Sequence, residues 1–271
     1  MLDLTISIVI YKYEDLLDRV LQSCLNSNLN LQVLLIDNSS QYFSGKNTYK
    51  DPRIKFISTE INLGYATANN LAMRLAQGKS KYHLVLNPDV YFEPDILQEL
   101  FDYMESNLDV GLLMPTVCSL DGSTQNLCKM LPSPFALFFR RFSPLVFLNR
   151  WVNFQYEMQF ADYNNIMEVC FLSGCFMFLR TEVFDKVGYF DDRFFLYMED
   201  VDYCRRIHQY YRTVYYPRVK VYHKNNKGSY KSLRLLHYHM VSAIMYFNKW
   251  GWFFDTKRKR INKRVLDKIK K

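Results

Sequence analysis

The run Thr-Ile-Ser-Ile-Val-Ile-Tyr at 5–11 is rich in β-branched residues and breaks into Lys12 and Glu14, which predicts a buried strand that delivers a loop. Between 14 and 27, Leu16, Leu17, Val20, Leu21, Cys24 and Leu25 recur at helical spacing, so a helix with one apolar face follows. Further strands are predicted at 32–36, 53–58 and 82–86, with a helix at 68–77 that stops at Gly78. This alternation of strand and helix is the pattern of an α/β fold: a mainly parallel, Rossmann-like sheet covered by helices on both faces. Ligands of such sheets bind beyond the carboxyl ends of the strands. Tyr11, Asp37, Asn62 and Asp89 stand at or after those ends and would converge on one crevice, although they are far apart in sequence.

The second half is less regular. Strands are predicted at 110–117, 167–172, 175–179 and 213–223, and a short helix at 181–186 ends at Gly188. A helix at 198–211 carries Glu199 and Asp200 in its first turn, where the helix dipole favours anions. The stretch 134–151 is strongly apolar, but prolines at 132, 134 and 144 make one long helix a poor fit. It reads as a short amphipathic insertion, packed under the fold or resting on a membrane. Residues 233–247 look helical, so His237 and His239 are read as packing residues and not as a metal pair.

Composition changes this picture in two ways. Apolar residues make up 49% and charged residues 23%, which is ordinary for a globular protein and excludes a disordered chain. The 21 Tyr, 21 Phe and 3 Trp exceed what a core needs and point to stacking surfaces or membrane contact. The net charge of +8 is also unevenly placed, because residues 201–271 hold 19 Lys and Arg against 3 Asp and Glu. That basic third could face nucleic acid, anionic lipid or a diphosphate, and charge alone does not choose among them. Its polybasic end at 257–271 follows the aromatic segment 246–254, a juxtaposition suited to an interfacial anchor and equally to a solvated tail. Six cysteines form no CxxC pair, so reduced thiols are expected in place of a zinc site or disulfide framework. Leu2-Asp3-Leu4 lacks a basic leader, and no uncharged run reaches the roughly 18 apolar residues of a spanning helix, so a cytoplasmic protein is expected.

Several motifs, taken in order, carry a resemblance. They are Ile8 to Tyr11, Ile36-Asp37-Asn38-Ser39-Ser40, Asn62-Leu63-Gly64-Tyr65 through Asn69-Asn70, Leu86-Asn87-Pro88-Asp89, Gly188-Tyr189-Phe190-Asp191, Tyr197-Met198-Glu199-Asp200 through Arg206, and His223. Together, over about residues 4–228, they resemble the bacterial family 2 glycosyltransferases of the rhamnosyltransferase type.

The resemblance implies a GT-A fold whose mixed second half serves the acceptor, and inverting transfer of a sugar from a nucleoside diphosphate. Its halves would be 1–115 for the nucleotide sugar and 116–230 for acceptor and catalysis, with 231–271 a helical, aromatic and basic membrane-associating tail. Asp37 would recognise base or ribose, since a carboxylate accepts from N–H and hydroxyl groups; an Asx turn is the alternative. Tyr11, Asn62, Gly64, Asn69 and Asn87 would line the nucleotide sugar, with a turn and helix cap as the plainer reading of Gly64 and Asn69. Asp89, with His223, would hold Mg2+ or Mn2+ to neutralise the diphosphate, although Asn87-Pro88-Asp89 is also a good turn. Asp200 would be the catalytic base, supported by Glu199, and Arg206 would approach phosphate or else form a helix-surface ion pair. Lys224, Lys227 and Lys231 could grip the diphosphate.

The partners implied are a nucleoside-diphosphate sugar such as dTDP-rhamnose, a polyprenyl-diphosphate-linked glycan acceptor, and an anionic membrane surface on its inner face. The setting would be O-antigen or capsule synthesis. Competing classes are a nucleotidyltransferase, an inactive nucleotide-sugar-binding relative, and a nucleic-acid-binding protein using the basic end. The first lacks its Gly-rich loop, because 4–13 contains no Gly, and the last lacks any recognised motif, so nucleic acid is not expected.

Overall fold

β1 (Leu2–Ile10) is buried from Leu4 to its end, as a strand at the centre of a sheet must be. Its two buried hydroxyls are satisfied across the sheet and its covering helix: Ser7 donates to Asn69 at 2.7 Å, and Thr5 lies 2.8 Å from His83 Nδ1. The structure, a computed structural model, describes residues 1–12, 15–39, 50–142, 144–224 and 232–269.

The elements follow in the order β1, α1 (Leu17–Leu25), β2 (Leu31–Asp37), β3 (Ile54–Ser58), α2 (Tyr65–Ala76), β4 (Ser80–Leu86), β5 (Val90–Phe92), α3 (Ile96–Ser106) and β6 (Val110–Cys118). Next come β7 (Cys128–Lys129), α4 (Pro134–Phe142), α5 (Val146–Tyr156), β8 (Met167–Glu168), β9 (Phe171–Leu172), β10 (Phe176–Arg180) and α6 (Glu182–Val187). The chain ends with α7 (Glu199–Ile207), β11 (Arg212–His223), α8 (Leu233–Trp250) and α9 (Thr256–Ile269).

The main sheet runs β3-β2-β1-β4-β10-β6-β11-β5, with β8 also on β11, and β7 pairs with β9 in a small second sheet. The β3-β2-β1-β4 half is wholly parallel, as the alternating pattern predicts. β10 then enters antiparallel to both β4 and β6, while β6 and β11 are parallel to each other. Two reversals restore the direction, so β11 runs with β4 and its end at His223 lies on the same edge as Asp89.

Three expectations need correction, and a fourth, the proline-interrupted stretch 134–151, is given its elements. The strand predicted over 167–172 is split, because Met167 and Glu168 pair with β11 whereas Phe171 pairs with Lys129 in the other sheet. The helix predicted from 68 begins at Tyr65, whose amide donates to Phe195 O at 2.7 Å; this tertiary cap has no local signal. The helix predicted over 198–211 closes at Ile207, after which the chain turns into β11. The stretch 134–151 forms two helices, α4 and α5, tied together where Arg140 engages Asn153 and Glu157.

The C-terminal segment forms two helices that pack against the body of the fold; the boundary expected at 230 lies outside the described residues. α8 buries Ser242, Ala243, Tyr246 and Phe247, and α9 buries Arg258 and Val265. Asn262 exchanges two hydrogen bonds with the Leu131 backbone, and Lys268 pairs with Glu168 at 2.6 Å. Arg205 of α7 is 1% exposed and makes two 2.6 Å bonds to both oxygens of buried Asp255, between α8 and α9. Asp202, fully buried, accepts from Trp250 Nε1 and Lys249 of α8, each at 2.7 Å. All six cysteines are buried and free, as expected.

Removing one partner of a buried pair strands the other charge. Asp255→Asn is therefore expected to destabilise the protein by about 3 kcal/mol, read as a lowered urea midpoint with unchanged slope.

Candidate active site

The carboxyl ends of β1, β2 and β4 lie side by side, because these strands are parallel and in register. Asn38, just past β2, holds the next loop in place: its Oδ1 accepts from Leu63 N at 2.8 Å, and its Nδ2 donates to Asn62 Oδ1 at 3.0 Å and Gly64 O at 3.2 Å. Asp37 is buried and accepts from the amide and hydroxyl of Ser39 at 2.9 and 2.5 Å, which makes it an Asx turn at this edge. Tyr11 stands 40% exposed at the end of β1. Tyr11, Asp37 and Asn62 thus share the edge that the sequence pattern assigns to them.

At the end of β4 the chain turns through 87–90, with Val90 N donating to Asn87 O at 3.2 Å. β11 meets β5 so that His223 faces Val90, and this register sets His223 Nε2 3.4 Å from Asp89 Oδ1. Gln125 fixes the imidazole from behind: its amide donates to His223 O at 2.9 Å, and its Oε1 lies 3.2 Å from Nδ1. Burial works against a charged His223, but the neighbouring Cys175 and Asp89 outweigh it and lift its pKa to about 10. Among the described residues no group of three or more His, Cys, Asp or Glu side chains could hold a metal ion. Asp89 offers a hard cation one oxygen ligand, and His223 one nitrogen once a bound cation displaces its ring proton, which fits a site completed by diphosphate oxygens and water.

The loop before β10 crosses the same edge. Asn87 N donates to Cys175 O at 3.0 Å, and Gly174 N donates to Asp200 Oδ2 at 3.0 Å. The Val201 amide holds Asp200 Oδ1 at 2.8 Å. The Tyr65 hydroxyl lies 2.8 Å from Gly174 O and 3.2 Å from Asn87 Oδ1, so it spans both sides of the crevice. Burial, with Glu199 next, raises the Tyr65 pKa well above its usual value, so the phenol keeps its proton.

Glu199 is 5% exposed, and its Oε2 has no hydrogen-bond partner among the described residues. Burial, then the charge of Asp200, pushes its pKa well up. Burial raises Asp200 too, against the Gly174 and Val201 amides and Lys129. Two adjacent buried carboxyls oppose double ionisation, and the amides of Gly174 and Val201 favour the charge on Asp200 over Glu199.

These carboxyls are held by a strained segment. Tyr197 and Met198 both have left-handed backbones, φ 69° and 68°, immediately before α7. α8 clamps them: Ser242 donates to Leu196 O at 2.8 Å, the Phe195 and Tyr238 rings are 4.7 Å apart, and His239 meets Tyr197 edge-on at 5.1 Å.

The structure supplies packing roles for three residues expected at the nucleotide. Gly64 (φ 80°) faces the loop, since a Cβ there would sit 2.4 Å from Phe195 O. Asn69 is 1% exposed and links Ser7 to Tyr65 O, and Arg206 bonds Asp202, Val187 O and Tyr189 O through Nε, Nη1 and Nη2. The Lys224 amide donates to Asp89 O at 3.2 Å while its ammonium pairs with Asp15; Lys227 and Lys231 lie outside the described residues. The sequence reading had no role for Tyr65, Gly174, Gln125 and Lys129. Only Tyr65 had a signal, its place inside the 62–70 motif.

The model of "Glycosyl transferase family 2" matches residues 5–188. The N-acetylglucosaminyl-diphospho-decaprenol L-rhamnosyltransferase of Mycobacterium tuberculosis is 28% identical over 88% of this chain and 82% of its own length. Rhamnosyltransferase WbbL of Escherichia coli K12 is 23% identical, over 89% and 91%. Among solved structures, residues 1–349 of S. aureus TarS align with TM-score 0.57 at 13% identity, over 97% of this chain and 70% of that one. GalNAc-T7 with UDP, GalNAc and Mn2+ aligns with TM-score 0.59 at 13% identity, over 82% of this chain and 43% of that one. The backbone is therefore the GT-A fold, and with a family match over more than half its length the chain belongs to glycosyl transferase family 2, as an enzyme of that family.

Proposed function

We propose that this enzyme transfers a deoxyhexose, rhamnose from dTDP-rhamnose, with inversion to a polyprenyl-diphosphate-linked glycan in surface-polysaccharide synthesis at the inner face of the cell membrane. The observation that carries the reading is the bridge at this edge: Gly174 N holds Asp200, Gly174 O takes the Tyr65 hydroxyl, and that hydroxyl reaches Asn87, two residues from the Asp89 that His223 faces. The curated relatives named as rhamnosyltransferases support the choice of sugar and of acceptor.

Asp200 accepts the proton of the acceptor hydroxyl as its oxygen attacks the anomeric carbon and the bond from that carbon to the diphosphate breaks. Glu199 keeps its own proton and leaves Asp200 to act as the base. Tyr11, Asp37 and Asn62 face the nucleoside, and Asn87 is oriented by Tyr65 toward the sugar. Asp89 and His223 would hold Mg2+ or Mn2+, whose charge stabilises the departing diphosphate.

No helix among the described residues is long and apolar enough to cross a membrane. The apolar surface lies instead on short elements: Val146 and Phe147 of α5 are 80% and 85% exposed, and Phe253 and Phe254 before α9 are 72% and 95% exposed. Phe138 of α4 stacks on Trp252 at 6.3 Å, which joins α4 to the 252–254 segment, and Lys257, Lys259 and Arg260 follow on α9. Aromatic rings beside lysine and arginine suit the headgroup region of an anionic bilayer.

Three outcomes are expected. Asp200→Asn abolishes sugar transfer yet keeps the rise in melting temperature that nucleoside diphosphate produces, and the wild-type acid limb of kcat/KM lies above the ordinary aspartate range, activity falling as pH drops. Unchanged turnover in this variant overturns the base assignment. In a thermal-shift panel of dTDP, UDP, GDP and CDP with and without Mn2+ or Mg2+, dTDP gives the largest shift, and Asp89→Ala removes its metal dependence. A panel without any shift overturns the transferase reading. Finally, the protein floats with phosphatidylglycerol vesicles and not with phosphatidylcholine vesicles, and changing Phe253 and Phe254 to Ser reduces the floated fraction with the melting temperature unchanged.

A further inference from the structure

The acceptor half holds a cluster of cations that the transfer step does not use. Lys129 lies on β7, paired with Phe171 of β9, and its ammonium sits 5.8 Å and 6.0 Å above the rings of Phe171 and Tyr156. Among the described residues it has no carboxylate or hydrogen-bond partner, unlike Arg140, which binds Glu157 and Asn153. Lys129 lies within electrostatic reach of Asp200, and also of Glu157 and Arg140. Lys129 and Arg140 both stand over the Tyr156 ring, at 6.0 and 4.4 Å, and His239 of α8 lies within electrostatic reach of Arg141, Lys129 and Arg140. Burial depresses the Lys129 pKa, as it does for an ammonium stripped of water without a bound anion.

We propose that Lys129, flanked by Arg140 and Arg141 of α4, forms an anion site beside Asp200 that receives the diphosphate of a lipid diphospho-sugar acceptor, separate from the donor diphosphate site at Asp89 and His223. This rests on the transferase reading above and adds where the acceptor's charge is held. The placement of groups carries the argument: Lys129 pairs with Phe171, three residues before the Gly174 that holds Asp200; Arg140 of α4 shares the Tyr156 ring with it; and α4 and α5 expose Phe135, Val146, Phe147 and Trp151. A lipid diphospho-sugar presents groups to match, with an attacking hydroxyl, a diphosphate one sugar away, and a hydrocarbon chain. An ammonium held by aromatic rings suits phosphate as a point charge, and each such charge-assisted contact adds substantially to affinity.

The test is calorimetric titration of farnesyl diphosphate, inorganic pyrophosphate and farnesol into wild type, Lys129→Gln and Lys129→Arg, with dTDP and Mg2+ at saturation. Farnesyl diphosphate is expected to bind wild type despite the nucleotide, about tenfold more weakly to Lys129→Gln, and near wild-type strength to Lys129→Arg. Pyrophosphate competing with it supports a site for the diphosphate itself, while farnesol binding stays unchanged. Equal affinity in wild type and Lys129→Gln overturns the proposal, as does farnesyl diphosphate binding that nucleotide abolishes. The dTDP thermal shift, unchanged in Lys129→Gln, reports an intact fold and donor site. Its absence in wild type sinks the transferase reading alone, because the farnesyl diphosphate titration still reads Lys129.

Discussion

β10 enters the sheet antiparallel between β4 and β6, and the site depends on that one insertion. A parallel strand would bring its carboxyl end to the edge where Asp89 lies; the antiparallel one brings its amino end, and with it the loop through Gly174 and Cys175. Three backbone groups of that loop then hold the site together: Cys175 O takes the Asn87 amide, Gly174 O takes the Tyr65 hydroxyl, and Gly174 N holds Asp200. The strands β1 to β4 and the start of α7, which carries the proposed base, are thereby joined by hydrogen bonds through this loop.

The second constraint is strain and what contains it. Tyr197 and Met198 occupy a backbone region unfavourable to bulky side chains, and they aim Glu199 and Asp200 as α7 begins. Such a conformation persists only where neighbours over-determine it. Ser242, Tyr238 and His239 of α8 do so from one side, and Gly64, which admits the Phe195 carbonyl, does so from the other. α8 is in turn anchored to α7 by the Arg205–Asp255 pair and by Asp202, so the C-terminal helices support the segment that carries the proposed base as well as presenting charge.

Much of the site was legible because it obeys a general rule. Parallel strands expose their carboxyl ends on one edge, so Tyr11, Asp37, Asn62 and Asp89 could be grouped from hydrophobic pattern alone, and the acidic first turn of α7 announced itself. Residues acting through the backbone or through distant contacts could not be found this way. Gly174 has no side chain to notice, Lys129 is one lysine among many, and Asn69 and Arg206 resemble ligands by type although their polar atoms are used in packing.

Local periodicity and residue chemistry account for the alternating α/β half, the edge on which its polar residues gather, the reduced thiols and the basic character of the last third. Tertiary structure alone decided the direction of β10, the split of 167–172 between two sheets, the start of α2 beneath Phe195 and the burial of Arg205 against Asp255. Each of those depends on a partner tens of residues away, and a local pattern contains no information about which distant group will satisfy a backbone amide or a buried charge.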